Sequence, residues 1–305
     1  MKKFTNSKIK RPSIIFVVLG ILLAIHAAFL IYLMCWGFFS SVKAELGSTN
    51  LFRGNEIGFP KGLPWEWQWS NYQVVTKYIY VDITLDSARV RIGLINMLFN
   101  TLIITFGGAA VSTFVPCLVA YVTTKFDFKF SAFFDTVVLV AMIIPIVGAY
   151  LSDIQVLNAL GLYDKWAGFF VHKMHCISVY YLVFKAVFKS ISISYSEAAY
   201  IEGAGEYTVM FRVVIPLART VILTVYLIYF ITYWNDYNTS LLYLRTKPTL
   251  AYGIYYIVFK QAENVICNVP MRMAGAFLLF TPILILFSFF RKSIMQNLSM
   301  GGVKE

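Results

Sequence analysis

Long apolar runs alternate with short polar segments along the whole chain. Six runs are long enough to cross about 30 Å of hydrocarbon as helices, at about 1.5 Å per residue. Their approximate ranges are residues 12–39, 92–122, 132–151, 168–188, 216–244 and 271–290. Pro145 predicts a kink in the third run. The pattern therefore predicts an all-α integral membrane protein with six transmembrane helices.

Basic residues stand mainly at the ends of these runs. Residues 1–11 are rich in Lys, and the other basic ends carry Lys125, Lys129, Lys185, Lys189, Arg212, Arg219, Arg291 and Lys292. By the positive-inside rule these ends face the cytoplasm, and six spans then place both termini on that side. The first run is roughly twice the length of a signal-peptide core, which is about 7–15 residues. We interpret it as a retained span.

Composition supports a membrane protein and excludes several other classes. Of the 305 residues, 59% are apolar and only 13% are charged, whereas a soluble domain carries about 25% charge. The net charge of +11 comes from scattered Lys and Arg residues, so we expect no nucleic-acid partner. Cys35, Cys117, Cys176 and Cys267 lie far apart and indicate no disulfide framework.

Three regions follow from this reading. Residues 1–91 contain the cytoplasmic N-terminus, the first transmembrane helix and a long extracytoplasmic loop. Residues 92–292 form a core of five helices, and residues 293–305 form a cytoplasmic tail. The loop carries Trp65, Trp67 and Trp69 at alternate positions. These tryptophans fit an aromatic belt at the outer headgroups or a landing surface for an extracellular partner.

A polar stretch at residues 194–216 interrupts the apolar pattern within the core. Ser194 and Glu197 have the spacing of a capping box at a helix start. Gly203 and Gly205 predict a turn, and Pro216 suits the first turn of a following helix. The stretch therefore predicts a short helix, a turn, a second short helix and then a span. An ordinary amphipathic loop is the plainer alternative.

The same stretch resembles a known signature. Glu197-Ala198-Ala199, Gly203 and Val213-Val214-Ile215-Pro216 have the spacing of the "EAA, three residues, G, nine residues, I-x-L-P" motif of permease subunits in binding-protein-dependent ABC importers. Residues 65–305 also resemble the maltose/carbohydrate class of these permeases. The landmarks are Asn100-Thr101, Ala120-Tyr121, Met142 to Pro145, Leu160-Gly161-Leu162, Trp234-Asn235-Asp236 and Gly301-Gly302-Val303-Lys304.

The resemblance implies a type I ABC importer permease fold in a bacterial plasma membrane. Its cytoplasmic coupling helix docks into a cleft on an ATPase. The ATPase-coupling residues so implied are Glu197, Ala198, Ala199, Glu202, Gly203 and Pro216. Glu197 would pair with a basic residue of the ATPase. The implied partners are a second homologous permease, two ATPase subunits and an extracytoplasmic solute-binding protein.

The chain departs from the family pattern at three positions of the stretch. Ser192 stands where the class usually has Pro, and Glu202 replaces the commoner Asp. Gly205 stands where Ser or Thr is frequent, so we expect the second short helix to lack a side-chain cap. These departures bear on the angle at which the helix enters, not on its role.

A possible substrate pathway lies near the outer end of the fifth run. Trp234, Asn235 and Asp236 offer stacking, amide and carboxylate groups, which suit a sugar with its hydroxyls and apolar ring face. Charged groups in spans are functional by default, although an Asp at a span end can simply be solvated. Asn96 and Asn100 share a helix face at i and i+4 and could line the same route or bond between helices.

No catalytic or metal site is indicated. His172, His175 and Cys176 cluster, but they lack a HExxH motif and a second carboxylate pair. Gly107-Gly108 indicates close helix packing. No Walker A motif is present, so ATP and Mg²⁺ would bind on partner subunits, with no cofactor on this chain.

We therefore expect a carbohydrate importer subunit and not an enzyme. Its transported solute would be delivered by the binding protein, and an oligosaccharide is the substrate that the resemblance implies. The alternatives are the same machinery for another solute, a membrane-embedded enzyme, or a passive channel.

Overall fold

The protein is described by a computed structural model that covers residues 14–43, 67–85, 88–126, 130–144, 148–260 and 269–300. The described chain is mostly helical, as the sequence predicts. The helices are α1 (Ile14–Ser41), α2 (Ser70–Tyr78), α3 (Leu94–Leu102), α4 (Gly108–Lys125), α5 (Phe130–Ile143), α6 (Ala149–Ala159), α7 (Trp166–Lys173), α8 (Val179–Ser190), α9 (Ser194–Ile201), α10 (Glu206–Thr208), α11 (Ile215–Leu217), α12 (Arg219–Trp234), α13 (Leu250–Lys260) and α14 (Val269–Met300). Segments Ile103–Gly107, Val209–Val214 and Thr239–Tyr243 are π-helical.

A β-hairpin precedes α3 and adds a feature that the sequence analysis did not predict. Strands β1 (Tyr80–Leu85) and β2 (Ala88–Gly93) pair antiparallel, from Tyr80 opposite Gly93 to Leu85 opposite Ala88. Apolar β-branched residues alternate with polar ones in both strands, which favours a pleated structure. The predicted second span therefore begins at Leu94, after the hairpin.

Three helices of the described chain are long and apolar enough to cross a membrane: Ile14–Ser41, Leu94–Lys125 and Val269–Phe289. Glu206–Leu217 and Arg219–Trp234 make a fourth if they count as one span, bent by 74°. The third and fourth predicted runs are interrupted. After α5 the chain reaches Gly148, whose φ of 81° is left-handed, and residues 174–178 separate α7 from α8. Six spans remain a prediction.

Several expectations fall on residues outside the described ranges. They are the kink at Pro145, the outer-loop residue Trp65, the thiol of Cys267 and the tail motif at residues 301–304. At the other end of the sixth predicted run, α14 continues to Met300, about three turns beyond the predicted end.

The described residues within 14–75 and 269–277 form one compact unit. Within it, the end of α1 is fastened to the following chain by side-chain hydrogen bonds. The Asn71 amide donates to the carbonyls of Ser41 and Lys43, at 2.9 and 2.8 Å. Trp67 and Trp69 stack on each other with ring centroids 6.0 Å apart, and both pack against Phe38. The two tryptophans therefore pack against the end of the first helix.

The described residues within 76–260 and 278–300 form the second unit, which has two apolar clusters. The first joins α4, α5, α8, the chain at 209–218 and α12. Its buried members are Cys117, Ala120, Tyr121, Val138, Tyr181, Phe184, Phe188, Val209, Val214, Ala218, Ile222 and Val225. The second is built from Ile104, Ala109, Phe169, Phe230, Tyr233, Trp234 and Leu244.

The predicted close packing at Gly107 and Gly108 is confirmed. A Cβ at Gly107 would lie 2.8 Å from the Phe170 ring, and one at Gly108 would lie 2.9 Å from the Phe169 ring. Real Cβ atoms do not approach so closely, so a larger residue would push α7 away. The two glycines therefore let α7 pack tightly against the second span.

Candidate functional site

We call residues 194–217 the EAA segment. Its first helix, α9, starts differently from the prediction. Ile193 is the N-cap and already has helical angles, so Ser194 lies inside the helix and caps nothing. The hydroxyl of Ser192 instead accepts a hydrogen bond from the Ser194 backbone N–H at 3.3 Å. The predicted capping box of Ser194 and Glu197 is therefore wrong, because the helix begins too early for it.

The end of α9 matches the prediction for Gly203. Gly203 has a φ of 84°, and its N–H bonds to the Tyr200 carbonyl at 2.9 Å. The next N–H, that of Ala204, bonds to the Ala199 carbonyl at 3.0 Å. This pair of bonds is the Schellman motif, which requires a left-handed residue that glycine supplies without strain. No heavy atom lies within 4 Å of a Cβ built at Gly203, so the constraint is backbone conformation and not space.

A side-chain hydrogen bond closes the turn from the other side. The Tyr200 hydroxyl donates to the Glu206 carboxylate across the turn, at 2.5 Å. This bond is the main reason that the pKa of Tyr200 is raised to about 12. Gly205 is the N-cap of α10 and offers no side-chain cap, as expected from the sequence. The turn is therefore fixed by glycine conformation and by one polar contact.

Beyond the turn the chain runs through α10, a π-helical segment and α11, then bends by 74° into α12. Pro216 lies in α11, which continues the helical backbone of the π-helical segment, so it stands near the end of helix Glu206–Leu217 and not at the start of the long span. Ala218 stands between the two parts of the bent pair and is buried. The EAA segment and the long helix that follows it therefore point in different directions.

One face of the EAA segment is buried in the first apolar cluster. Val209, Val214 and the adjoining Ala218 pack there with α4 and α8, and Ala199 and Ala204 lie against the same cluster. A hydrogen bond reinforces this junction. The Lys125 ammonium at the end of α4 donates to the carbonyl of Ile191, which ends α8, at 3.3 Å. This bond links α4 to the residue that caps α8, and the EAA segment packs against both helices through its apolar side chains.

The other face is exposed and unusually apolar. Ile201 is 87% exposed and Tyr207 is 80% exposed. Other exposed apolar residues in or next to the segment are Ile193, Tyr195, Tyr200 and Phe211. Among the predicted coupling residues, Glu197, Ala198, Glu202, Gly203 and Pro216 are exposed, and Ala199 is half-buried. A surface of this kind typically binds another protein.

A partly buried ion pair near this region was not anticipated from the sequence. The Lys185 ammonium lies 2.6 Å from both carboxylate oxygens of Asp135, and the Tyr181 hydroxyl donates to the same carboxylate at 2.7 Å. Tyr181 also meets Thr123 at 2.8 Å, so α4, α5 and α8 share one polar cluster. The available signal was Asp135 itself, a carboxylate within an apolar run.

We call residues 235–250 the WND segment, after the Trp234-Asn235-Asp236 motif at which it starts. Asp236 accepts hydrogen bonds from the backbone N–H groups of Asn238 and Thr239, at 2.8 and 3.2 Å, and from the Thr239 hydroxyl. Trp234 is buried and donates from Nε1 to the Leu279 carbonyl at 2.9 Å. Asn235 is exposed, and its side-chain amide donates a hydrogen bond to the Ile231 carbonyl at 2.9 Å. The motif therefore bonds largely to the backbone of this chain.

The far end of the WND segment is held by α3. Asn100 donates to the Pro248 carbonyl at 3.0 Å, and the hydroxyl of Thr101 accepts from the Leu250 N–H at 2.9 Å. Asn96, one turn earlier, is exposed. The structure thus brings Asn100 to the same segment as Asp236, but as a support for the backbone.

His172 of the predicted histidine cluster contacts a carboxylate and an aromatic ring. Its Nε2 lies 3.3 Å from Asp153, and its ring centroid lies 4.8 Å from that of Tyr243. Among the described residues no group of three or more His, Cys, Asp or Glu side chains is placed to hold a metal ion.

Comparison with known proteins gives consistent matches. The family described as "Binding-protein-dependent transport system inner membrane component" matches residues 112–300. The maltodextrin transport system permease protein MalD of Streptococcus pneumoniae is 30% identical over 210 residues, which are 67% of this chain and 73% of MalD. The polygalacturonan/rhamnogalacturonan transport system permease protein YtcP of Bacillus subtilis is 26% identical over 250 residues, 76% of this chain and 86% of YtcP.

A solved structure shares the fold. It is the crystal structure of a bacterial ABC transporter involved in the import of the acidic polysaccharide alginate. The match has a TM-score of 0.67 at 22% sequence identity and covers 92% of this chain and 96% of that chain. The predicted type I ABC importer permease fold is therefore confirmed.

Proposed function

Because the chain belongs to the family of binding-protein-dependent transport system inner membrane components, we propose that it is one of two permease subunits lining the pathway of an ATP-driven carbohydrate importer. A second, homologous permease and two ATPase subunits complete the complex. ATP and Mg²⁺ bind on the ATPases, and this chain carries out no covalent chemistry. The observation that carries the proposal is the geometry of the EAA segment.

The exposed face of α9 supports docking to an ATPase. Ala198 leaves the helix surface bare, so another backbone can come close beside it. Glu197 and Glu202 are exposed carboxylates at the same surface, and Ile201 adds apolar area. A cleft with an apolar floor and a basic rim is complementary to this face. We assign Glu197 to an ion pair with a cation of that cleft.

The buried face of the segment supports transmission of movement. Val209, Val214 and Ala218 are embedded among side chains of α4 and α8. Close-packed interiors transmit strain because side chains have little room to yield. When ATP binding draws the two ATPases together, a displacement of α9 is therefore passed to those two helices. The 74° bend at Ala218 marks the boundary between the displaced segment and α12.

The distribution of basic residues supports the orientation. Lys125, Lys189 and Arg212 lie at the same helix ends as the EAA segment, and that end is placed in the cytoplasm by the positive-inside rule. With six spans, both termini lie on that side. The WND segment and the hairpin then lie at the extracytoplasmic side, where the binding protein delivers its ligand.

The substrate class rests on the relatives, whose names refer to maltodextrin and to polygalacturonan or rhamnogalacturonan. A saccharide is therefore the solute that we propose. The same machinery for another solute is the alternative, and a panel of ligands tested on the associated binding protein distinguishes the two.

Recruitment of the ATPase tests the proposal. The chain is tagged and co-expressed with the ATPase encoded beside a permease of this family, and the ATPase recovered with it is measured. Ala198→Trp should remove most of the recovered ATPase, because the bulky ring occupies the docking surface. Ala159→Trp is the matched control, since Ala159 is also exposed and lies at the far end of α6. Equal recovery with both variants would contradict the proposal.

A further inference from the structure

A cavity lies beside the β-hairpin, apart from the EAA segment. It has a volume of about 530 Å³, within the range of about 300–1,000 Å³ that small-molecule sites occupy. Residues 81–84 of β1 form one wall. Tyr163 and Asp164 line another part, and Arg245 and Tyr252 contribute from the WND segment and α13. All of these residues belong to the same compact unit.

The strand wall offers backbone hydrogen-bonding groups. Four consecutive residues of β1 border the cavity, although successive side chains of a strand point to opposite faces. The cavity is therefore bordered by the edge of the strand. In the described chain β1 pairs with β2 along its other edge. The outer edge thus presents N–H and C=O groups, which suit the hydroxyls of a sugar.

Two of the three charged side chains that line the cavity already have a partner. Asp164 accepts from the Thr246 N–H and hydroxyl at 3.1 and 3.0 Å and lies 3.6 Å from Lys247. Asp82 pairs with Arg91 at 3.2 Å.

Arg245 is the exception. It is exposed and forms no ion pair with any residue that the structure describes. The positive charge and the N–H donors of the Arg245 guanidinium are therefore available to a ligand.

The tyrosines give the cavity an aromatic component. Tyr163 and Tyr252 are both half-buried, so part of each side chain faces the cavity. The Tyr163 hydroxyl donates to the Leu242 carbonyl at 2.9 Å, which fixes the orientation of its ring. Fixed aromatic surfaces pack well against the apolar C–H face of a sugar ring without further loss of side-chain freedom.

The predicted pathway residues position the segment that carries Arg245. Asp236 holds one end of the WND segment and Asn100 holds the other. Between them the Ser240 hydroxyl accepts from the Thr249 N–H at 3.0 Å and donates to the Lys247 carbonyl at 3.2 Å. The loop is therefore closed on itself, and Arg245 projects from a fixed base. Asp236 and Asn100 act here as positioning residues.

We propose that this cavity binds a sugar unit that carries a carboxylate, with the Arg245 guanidinium paired to that group. The proposal rests on the proposed function, because it places a uronate-containing saccharide at the extracytoplasmic side of the importer. A guanidinium matches a carboxylate with two parallel hydrogen bonds, whereas a neutral sugar cannot use its charge. The strand edge and the two tyrosines bind the hydroxyls and the ring.

The test uses the complete importer in lipid nanodiscs, with trigalacturonate as the probe and its methyl ester as the uncharged probe of the same shape. Binding is measured by calorimetry. Arg245→Gln should weaken trigalacturonate binding by about tenfold or more, because a charge-assisted hydrogen bond is lost. Arg245→Lys should restore part of the affinity. Arg89→Gln, on β2 and outside the cavity wall, should leave the affinity for trigalacturonate unchanged.

The ester separates recognition of the carboxylate from recognition of the ring. It should bind the wild type as weakly as the acid binds Arg245→Gln. Equal affinities for acid and ester, or an unchanged affinity in Arg245→Gln, would overturn the proposal. So would protection of a cysteine at position 245 by the binding protein alone, since that marks a protein-docking surface. The amount of ATPase recovered with the Arg245→Gln variant distinguishes failure of this sugar site from failure of the proposed function. Normal recovery without acid recognition refutes this site and leaves the importer function intact.

Discussion

The EAA and WND segments are both polar breaks between helices, and each contains a conspicuous sequence motif. In the EAA segment the motif residues Glu197, Ala198 and Glu202 stay exposed, while the backbone of the turn satisfies itself through Gly203. In the WND segment the motif side chains of Trp234 and Asp236 are used for hydrogen bonds to the chain's own backbone. The first motif therefore keeps its side chains exposed, as the proposed docking to an ATPase requires, and the second supports its neighbours.

The difference shows that residue type alone does not reveal a motif's role. A carboxylate that lies beside free backbone N–H groups is used by them first, because those groups otherwise lack a partner. Asp236 has two such N–H groups within three residues. Glu197 lies within α9, where the backbone N–H is already bonded to the carbonyl of Ile193 at 3.0 Å. Its side chain stays exposed, which is consistent with the proposed ion pair.

The largest expected effect concerns the ion pair on which the EAA side of the molecule depends. Asp135→Ala leaves the Lys185 ammonium, only 7% exposed as a residue, without its carboxylate. Breaking a fully buried pair costs about 3–5 kcal/mol, and because the Asp135 side chain is 31% exposed we expect a cost at the lower end of that range. We expect a clearly lower midpoint of thermal unfolding in detergent. The double variant Asp135→Asn with Lys185→Met should be milder than Asp135→Ala, and an equal loss in both would show that the pairing itself contributes little.

The second effect concerns Gly203, the residue that lets the EAA motif remain exposed. Gly203→Val forces a β-branched residue to a φ of 84°, at a cost of about 2 kcal/mol. The chain should still insert in the membrane, but the displaced turn should reduce recovery of the ATPase in a pull-down. Gly205→Val is the matched control, because Gly205 has an ordinary φ of −79° and open space around it. Equal recovery of the ATPase with the two variants would show that the left-handed conformation at Gly203 does not matter for docking.

The smallest effect concerns Asp236. It distinguishes a role in holding the backbone of the WND segment from a role of the carboxylate charge in the substrate pathway. An amide oxygen at this position still accepts hydrogen bonds from the N–H groups of Asn238 and Thr239. Asp236→Asn should therefore cost less than about 1 kcal/mol, whereas Asp236→Ala should cost about 1–2 kcal/mol, as for a lost helix cap. Transport should follow stability in both variants. A stable Asp236→Asn variant that does not transport would show that the charge itself is needed in the pathway.

Sequence reasoning succeeded where the signal was local. The long apolar helices follow from hydropathy, the left-handed turn at Gly203 follows from glycine's own conformational preference, and the close approach at Gly107 follows from the lack of a side chain. The missing side-chain cap at Gly205 also follows from residue type. The turn and the missing cap are determined within a few residues, and at Gly107 the lack of a side chain indicates close packing although it does not name the partner, Phe170.

It failed where the outcome depends on partners far along the chain. Asp135 and Lys185 are 50 residues apart, so their pairing cannot be inferred from spacing. The sequence analysis places residues 80–91 in the outer loop and only Ile92 and Gly93 in the second predicted run, so it predicts no hairpin there. The capping box failed because the N-cap of α9 is Ile193, one residue before the expected N-cap, Ser194. The role of Asp236 depends on how the chain turns after α12.

Crosslinking from the exposed face of the EAA segment tests the central claim most directly. A photo-reactive phenylalanine analogue replaces Tyr207, which is 80% exposed beside α9, in the assembled importer. The same analogue at Tyr150, which is 57% exposed on α6, is the control. Our account predicts a crosslink to the ATPase subunit from position 207 and none from position 150. Position 207 without an ATPase crosslink, in a complex that still hydrolyses ATP, would contradict the assignment of this face as the docking surface.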